Sequence, residues 1–303
     1  QYFEDYYGVD RDDLIIIEGN GVGSGVETDM LYFRQLYDFV EEYDFTDDAV
    51  YREFCDMVDI QNYIDYIFAN VYFTNMDFIM EETKNVVMWR SREVRDNRYN
   101  DGRWRFALYD MDSMEWNLGE DYGVEICAQI DPFCMKNDDE DITYNEDAIF
   151  AALRQNEDFC KQFVLTAMDL MNWNFTPEKV QPHLEYFRKN LEWRDSFFVV
   201  RPTYAREHLA NEFELTGTIE TVTIHNANEA NGKVRVNTIT PDMNNGSWSG
   251  EYFTDYPITL SAEPAEDYKF VGWGGDIVSD EPVIEVPVTT GGLDITAEVE
   301  KIN

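Results

Sequence analysis

Asn75-Met76-Asp77, Lys84-Asn85 and Trp104-Arg105-Phe106-Ala107-Leu108-Tyr109-Asp110-Met111-Asp112 are the stretches on which the reading of this chain turns. Ahead of them Ile60, Ile64, Ile67, Phe68 and Val71 recur at helical spacing, with Asp59 placed to cap the helix start. Val86-Val87-Met88-Trp89 then reads as a strand, and Trp104 to Leu108 as the next. Between them, Ser91 to Arg103 carries Asp96-Asn97, Asn100-Asp101-Gly102 and four arginines, the composition of an exposed loop. If the two strands pair as a hairpin, Asp77 and Asn85 come towards Asp110 and Asp112 at one end of a small sheet. Three carboxylates and an amide so placed suit Mg²⁺ beside phosphate oxygens, because that ion is held by few protein oxygens and keeps its waters.

Each residue also has a plainer use. Alternation at a strand end points Asp110 and Asp112 the same way, yet either alone could cap the turn that follows the strand. Asp77 follows a turn opened by Asn75, where a carboxylate can accept a proton from a substrate hydroxyl or bond the loop backbone. Asn85 can ligate a metal through its amide oxygen, and the adjacent Lys84 either touches phosphate or stands at an exposed strand edge. A calcium loop of the EF type does not fit, since Met114 and Glu115 stand where an oxygen ligand and a glycine belong. Gly19-Asn20-Gly21-Val22-Gly23-Ser24-Gly25 follows a strand candidate at Ile15, Ile16 and Ile17, but it opens no helix with phosphate-loop spacing. It is expected to be a flexible loop. His183, His208 and His225 are scattered and form no triad motif with serine or cysteine.

A chain of 303 residues has room for two domains, and 7 Trp, 19 Tyr and 20 Phe exclude a disordered acidic polymer. The net charge of −39 repels phosphate backbones and anionic lipid, which excludes nucleic-acid and membrane-surface partners. No stretch of apolar residues is long enough for a membrane span. Cys55, Cys127, Cys134 and Cys160 lack zinc-site spacing; Cys127 and Cys134 are near enough in sequence to bridge or to stay buried thiols. Asn137-Asp138-Asp139-Glu140-Asp141 reads as an exposed loop, where calcium as a structural ion has no ligand spacing behind it. The chain opens at Gln1 without a basic and then apolar leader, so a fragment or processed product is expected.

Apolar residues keep helical spacing up to about residue 215, and after Thr216-Gly217 the period becomes two. Thr221–Ile224, Lys233–Val236, Ile258–Ala262, Tyr268–Val271 and Ile295–Val299 alternate as strands do. The expected fold class is therefore α+β. An α-rich domain over 1–215, with a short hairpin at the site, precedes a small all-β, sandwich-like module over 216–303.

The run from Tyr7-Gly8 through Asp59-Ile60-Gln61-Asn62-Tyr63-Ile64-Asp65-Tyr66, Asn75-Met76-Asp77, Lys84-Asn85 and Trp104-Arg105-Phe106 to Tyr109-Asp110-Met111-Asp112 resembles the CotH family. These are spore-coat and secreted proteins with an atypical protein-kinase fold. The resemblance implies a kinase-like domain, mostly the larger lobe, whose upstream lobe would lie before Gln1. It also implies ATP and Mg²⁺ as cofactors and transfer of the γ-phosphoryl group to Ser or Thr of an extracellular or surface protein, in a secreted or cell-surface bacterial setting. By that resemblance Asp77 is similar to the catalytic-loop aspartate and Asn85 to its metal-binding asparagine. Asp110 is similar to the aspartate that grips Mg²⁺, with Asp112 assisting. The step from Asp77 to Asn85 is eight positions where ordinary kinases have five, which points to the atypical group.

Gly232-Lys233-Val234-Arg235-Val236-Asn237, Ile258-Thr259-Leu260-Ser261-Ala262-Glu263-Pro264 and Tyr268-Lys269-Phe270-Val271-Gly272-Trp273 resemble repeats that follow such domains in secreted bacterial proteins. The rival expectation is a non-catalytic, pseudokinase-like adhesion or scaffold module of a cell-surface or polysaccharide-degrading assembly. Trp248 and Tyr252 would then be exposed for stacking on sugar rings; their plain alternative is the core of a small β domain.

Overall fold

The computed structural model describes residues 2–19, 21–75, 85–111, 124–134, 147–186, 194–226, 231–243 and 246–302. The chain divides into two compact units, Gln1–Cys160 and Lys161–Asn303, and each mixes helices with strands. The fold is α+β.

The first unit runs α1 (Tyr2–Tyr7), β1 (Leu14–Glu18), β2 (Gly21–Ser24), α2 (Met30–Glu42), α3 (Asp48–Met57), α4 (Ile60–Tyr72), β3 (Val87–Ser91) and β4 (Arg105–Ala107). Two further helices, Val124–Gln129 and Ala148–Leu153, follow in this unit. Its strands form one antiparallel sheet in the order β2-β1-β3-β4. Leu14, Ile15 and Ile17 bury on both faces of β1, as a strand covered on both sides requires. One face gathers Val9, Leu14 and Trp89 with Phe3, Tyr7, Tyr99 and Ala107. On the other, Phe106 meets Tyr63 and Tyr66 of α4, with ring centroids 4.9 and 5.2 Å apart. Such ring pairs contribute about 1 kcal/mol beyond their burial.

The start of α4 is the one its sequence encodes: the Asp59 carboxylate accepts from the Asn62 N–H at 3.3 Å. Ile60, Ile64, Ile67, Phe68 and Val71 are all buried, and so are Tyr63, Tyr66 and Tyr72 on its other sides. Every residue from Tyr66 to Tyr72 is buried, so this half of the helix is a central pillar, while Asp65 before it is exposed. The glycine-rich run expected to be a flexible loop is instead β2, with Val22 opposite Ile17 and Gly21 opposite Glu18. The buried, unpaired edge of β1 supplies hydrogen-bond partners whatever side chains the second strand carries, and this overrides the low strand propensity of glycine.

The second unit holds most of the helix Glu157–Asp169, a π-helical turn at Leu170–Asn174, and the helices Pro177–Tyr186 and Arg194–Glu212. The strands β5 (Ile219–His225), β6 (Gly232–Val236), β7 (Ser247–Phe253), β8 (Ile258–Pro264), β9 (Tyr268–Gly275), β10 (Val283–Val286) and β11 (Leu293–Lys301) follow. They make two sheets, β10-β8-β6 and β7-β5-β11-β9, all antiparallel except for the β5/β11 pair. Each expected strand of this region falls within one of these. Trp248 and Tyr252 of β7 are buried, not exposed for sugar stacking, because both lie on the inward period of the strand. Among the described residues no helix is long and apolar enough to cross a membrane.

Candidate functional site

The β3–β4 ladder sets the geometry. Val87 lies opposite Ala107, Met88 opposite Phe106 and Trp89 opposite Arg105. Asn85 enters β3 two residues before Val87, and Asp110 follows Ala107 by three, so both leave the ladder at the same end. The hairpin pairing expected from the sequence is present, and it puts these two residues beyond the same end of the ladder. Asn85 is buried, whereas Asp110 is exposed and has a left-handed backbone with φ of 48°. Aspartate is one of the few non-glycine residues that take this conformation readily. Asp77, Lys84 and Asp112 lie outside the described residues, as does the acidic run Asn137–Asp141.

Three contacts tie neighbouring elements to that end of the ladder. The Asn62 side-chain amide donates to the Phe106 carbonyl at 3.2 Å and accepts from the Phe106 N–H at 2.6 Å, which pins α4 along the free edge of β4. The Gly19 N–H donates to the Val86 carbonyl at 2.8 Å, so the β1–β2 turn lies beside the residue that follows Asn85. At the far end of α4, the fully buried Asn75 amide donates to Asn70 Oδ1 at 2.7 Å. The same Nδ2 stands 3.5 Å from Met111 Sδ, next to Asp110. The exit of α4, two residues short of Asp77, is therefore in contact with the segment that carries Asp110. Asn70 and Met111 escaped the sequence reading. The available signal was a lone amide within the apolar run Ile67-Phe68-Ala69-Asn70-Val71-Tyr72.

Arg105 locks the other end. Its guanidinium is almost wholly buried and donates to Asp59 Oδ2 at 3.0 Å and to the two Asp101 oxygens at 2.9 and 2.7 Å. It also stacks over Trp89 and Tyr99. Burial pushes the Asp101 carboxyl up, but hydrogen bonds from Arg105 and Arg103 prevail and hold it at about 2. Beside this lock opens a cleft of about 600 Å³, walled by Tyr2, Tyr7, Trp89, Tyr99 and Leu108, with Asp65 on its rim. Loss of solvent around its carboxyl, with the Asp59 charge adding, drives Asp65 up to about 6 despite the Gln61 amide that donates to it at 3.1 Å.

An amide oxygen and a carboxylate are the hard oxygen donors that Mg²⁺ selects, and one or two protein ligands beside phosphate are its usual share. The donor types at Asn85 and Asp110 fit that ion. Among the described residues no group of three or more His, Cys, Asp or Glu side chains gathers to hold a metal on its own. Residues 17–221 match the family model described as CotH kinase protein, a span that contains Asp77, Asn85, Asp110 and Asp112. No curated protein and no solved structure matches the chain.

Proposed function

Since the chain belongs to the CotH kinase protein family, we propose that it forms the larger part of a secreted or surface protein kinase. This enzyme would move the γ-phosphoryl group of ATP to Ser or Thr of an extracellular protein. Asp77 is the group that accepts the proton of the attacking hydroxyl and aligns its oxygen. Asn85, Asp110 and Asp112 are the oxygen ligands for Mg²⁺, which when bound would neutralise charge on the phosphates. The burial of Asn85 and the contact at Met111, next to Asp110, support a site set before substrate arrives, with little reorganisation left to the reaction itself.

The observation that carries this reading is the shared ladder end: Asn85 and Asp110 leave it together, and the helix that leads to Asp77 touches the residue after Asp110. The adhesion reading loses its sugar-stacking pair, because Trp248 and Tyr252 are buried.

The direct test is phosphoryl transfer from labelled ATP with Mg²⁺, comparing the intact parent protein with its Asp110→Asn variant. Asparagine also tolerates the left-handed backbone at this exposed position, so the unfolding midpoint should stay the same. Transfer should fall by about 100-fold or more, as when one preorganised electrostatic group is removed. Full transfer in the variant, or none in the parent, would remove the proposal.

A further inference from the structure

The end of α4 carries a buried amide pair whose position links the two halves of the candidate site. Asn70 and Asn75 are 1% and 0% exposed. The Asn75 backbone N–H donates to the Asn70 carbonyl at 2.9 Å, and its side-chain Nδ2 donates to Asn70 Oδ1 at 2.7 Å. Asn70 is itself held from behind, since its Nδ2 donates to the Tyr66 carbonyl at 2.8 Å. One amide is thus gripped twice from the helix, and its outward side meets Met111 Sδ at 3.5 Å. A buried amide costs free energy unless it is satisfied, and an apolar residue would pack the end of a helix at lower cost.

The backbone on each side of this bridge is left-handed. Thr74 has φ of 54° and Asp110 φ of 48°. For a β-branched residue the left-handed region is a true outlier, which persists only where the surroundings over-determine it. Thr74 is fully buried, and its hydroxyl has no hydrogen-bond partner among the described residues. The Thr74 N–H donates to the Val71 carbonyl at 3.2 Å, and the side-chain bonds that fix the turn come from Asn70 and Asn75, not from the threonine hydroxyl.

We infer that Asn70 and Asn75 are positioning residues: the Asn75 amide, fixed by Asn70, bridges the exit of α4 to Met111 and sets the spacing between the segment leading to Asp77 and Asp110. The inference rests on the phosphotransfer reading for its consequence, but not for the bridge itself. Neither asparagine acts on substrate; both act through the segments they join. A sulfur acceptor is weak, so the contact with Met111 fixes direction more than it adds affinity.

The experiment pairs hydrogen exchange of the metal-free chain with transfer kinetics. Asn75→Leu should speed exchange of the amides at Tyr109–Met111 by about tenfold, the effect of losing one net side-chain hydrogen bond, while amides of α2 keep their rates. In the transfer assay, kcat should fall by about 10- to 100-fold, the usual cost of removing a group that orients ligands. KM for ATP should stay within about threefold, because contacts to the nucleotide are untouched.

Met111→Ala, at a half-buried position that does not threaten the fold, supplies the reciprocal test. It should speed exchange at Thr74 and Asn75. Unchanged exchange across the bridge in both variants, or an equal rise throughout α2 and β1, would overturn the inference. A parent chain that transfers no label would defeat the kinase reading alone and leave the exchange result to decide the bridge. An active parent with an equally active Asn75→Leu would defeat the positioning role alone.

Discussion

Asp169 shows how much a single carboxylate can fix. It is buried, and it accepts from the Thr238 N–H at 2.8 Å, Thr238 Oγ1 at 2.7 Å, Asn237 Nδ2 at 3.0 Å and the Tyr252 hydroxyl at 2.7 Å. Burial raises its carboxyl to about 6, and these four bonds keep it from rising further. With the folded value above the unfolded one near 4, the native state binds the extra proton between the two. Stability should therefore decline as pH rises from about 4 to 6 and level off above, by an amount on the order of 2 kcal/mol. Denaturant unfolding of the parent and Asp169→Asn at pH 4.5 and 7 checks this: the parent's advantage should be larger at the acidic value. A gap independent of pH would show that Asp169 titrates normally. Residue-level chemistry of this kind was only partly legible. The cap at Asp59 follows from its place before an apolar helical stripe, because capping is local. Asp169 and Asn70 gain their partners from residues remote in sequence or across a turn, so local pattern assigns them nothing.

The β3–β4 connection is more than a polar loop. The composition of Ser91 to Arg103 marks an exposed segment, and Glu93 to Arg98 are exposed, while Ser91, Asn100 and Gly102 are buried. Period and composition do not reveal that Arg105, inside the strand, gathers Asp59, Asp101 and the carbonyls of Arg98 and Arg103 around one buried guanidinium. Arg105→Met would leave two carboxylates without their cation and should cost about 3 kcal/mol. The loss should appear in the unfolding midpoint and in faster proteolysis between residues 92 and 103. Asp101 titrates below the ordinary carboxylate range when folded, so its share of stability is complete above about 4 and is lost as pH falls towards 2. The deficit of Arg105→Met should shrink over that interval, and a constant deficit would place the effect in packing alone. β2 makes the complementary point: its glycines spell a loop by propensity, and only the partner strand makes them a strand.

At the scale of the whole molecule, a net charge of −39 on 303 residues works against compactness by self-repulsion. Salt screens this within about 10 Å at 0.1 M, so raising NaCl from 20 to about 200 mM should raise the thermal midpoint. A midpoint that falls would mean the ion pairs, Arg92 with Asp29 among them, outweigh the repulsion. The strand alternation after Thr216 and the helical stripes before it are legible because burial imposes their periods directly. The pairing of β3 with β4 is legible as well, and Asn85 and Asp110 lie beyond the same end of it. The account depends most on Asp77 and Asp112 joining that pair at one ion. Paramagnetic broadening tests it most directly, with Mn²⁺ and ATP added to the isotope-labelled chain while amide signals are recorded. The account predicts early, selective loss of the signals of Asp77, Asn85, Asp110 and Asp112. Broadening centred elsewhere, or at Asp110 without Asp77, would contradict it.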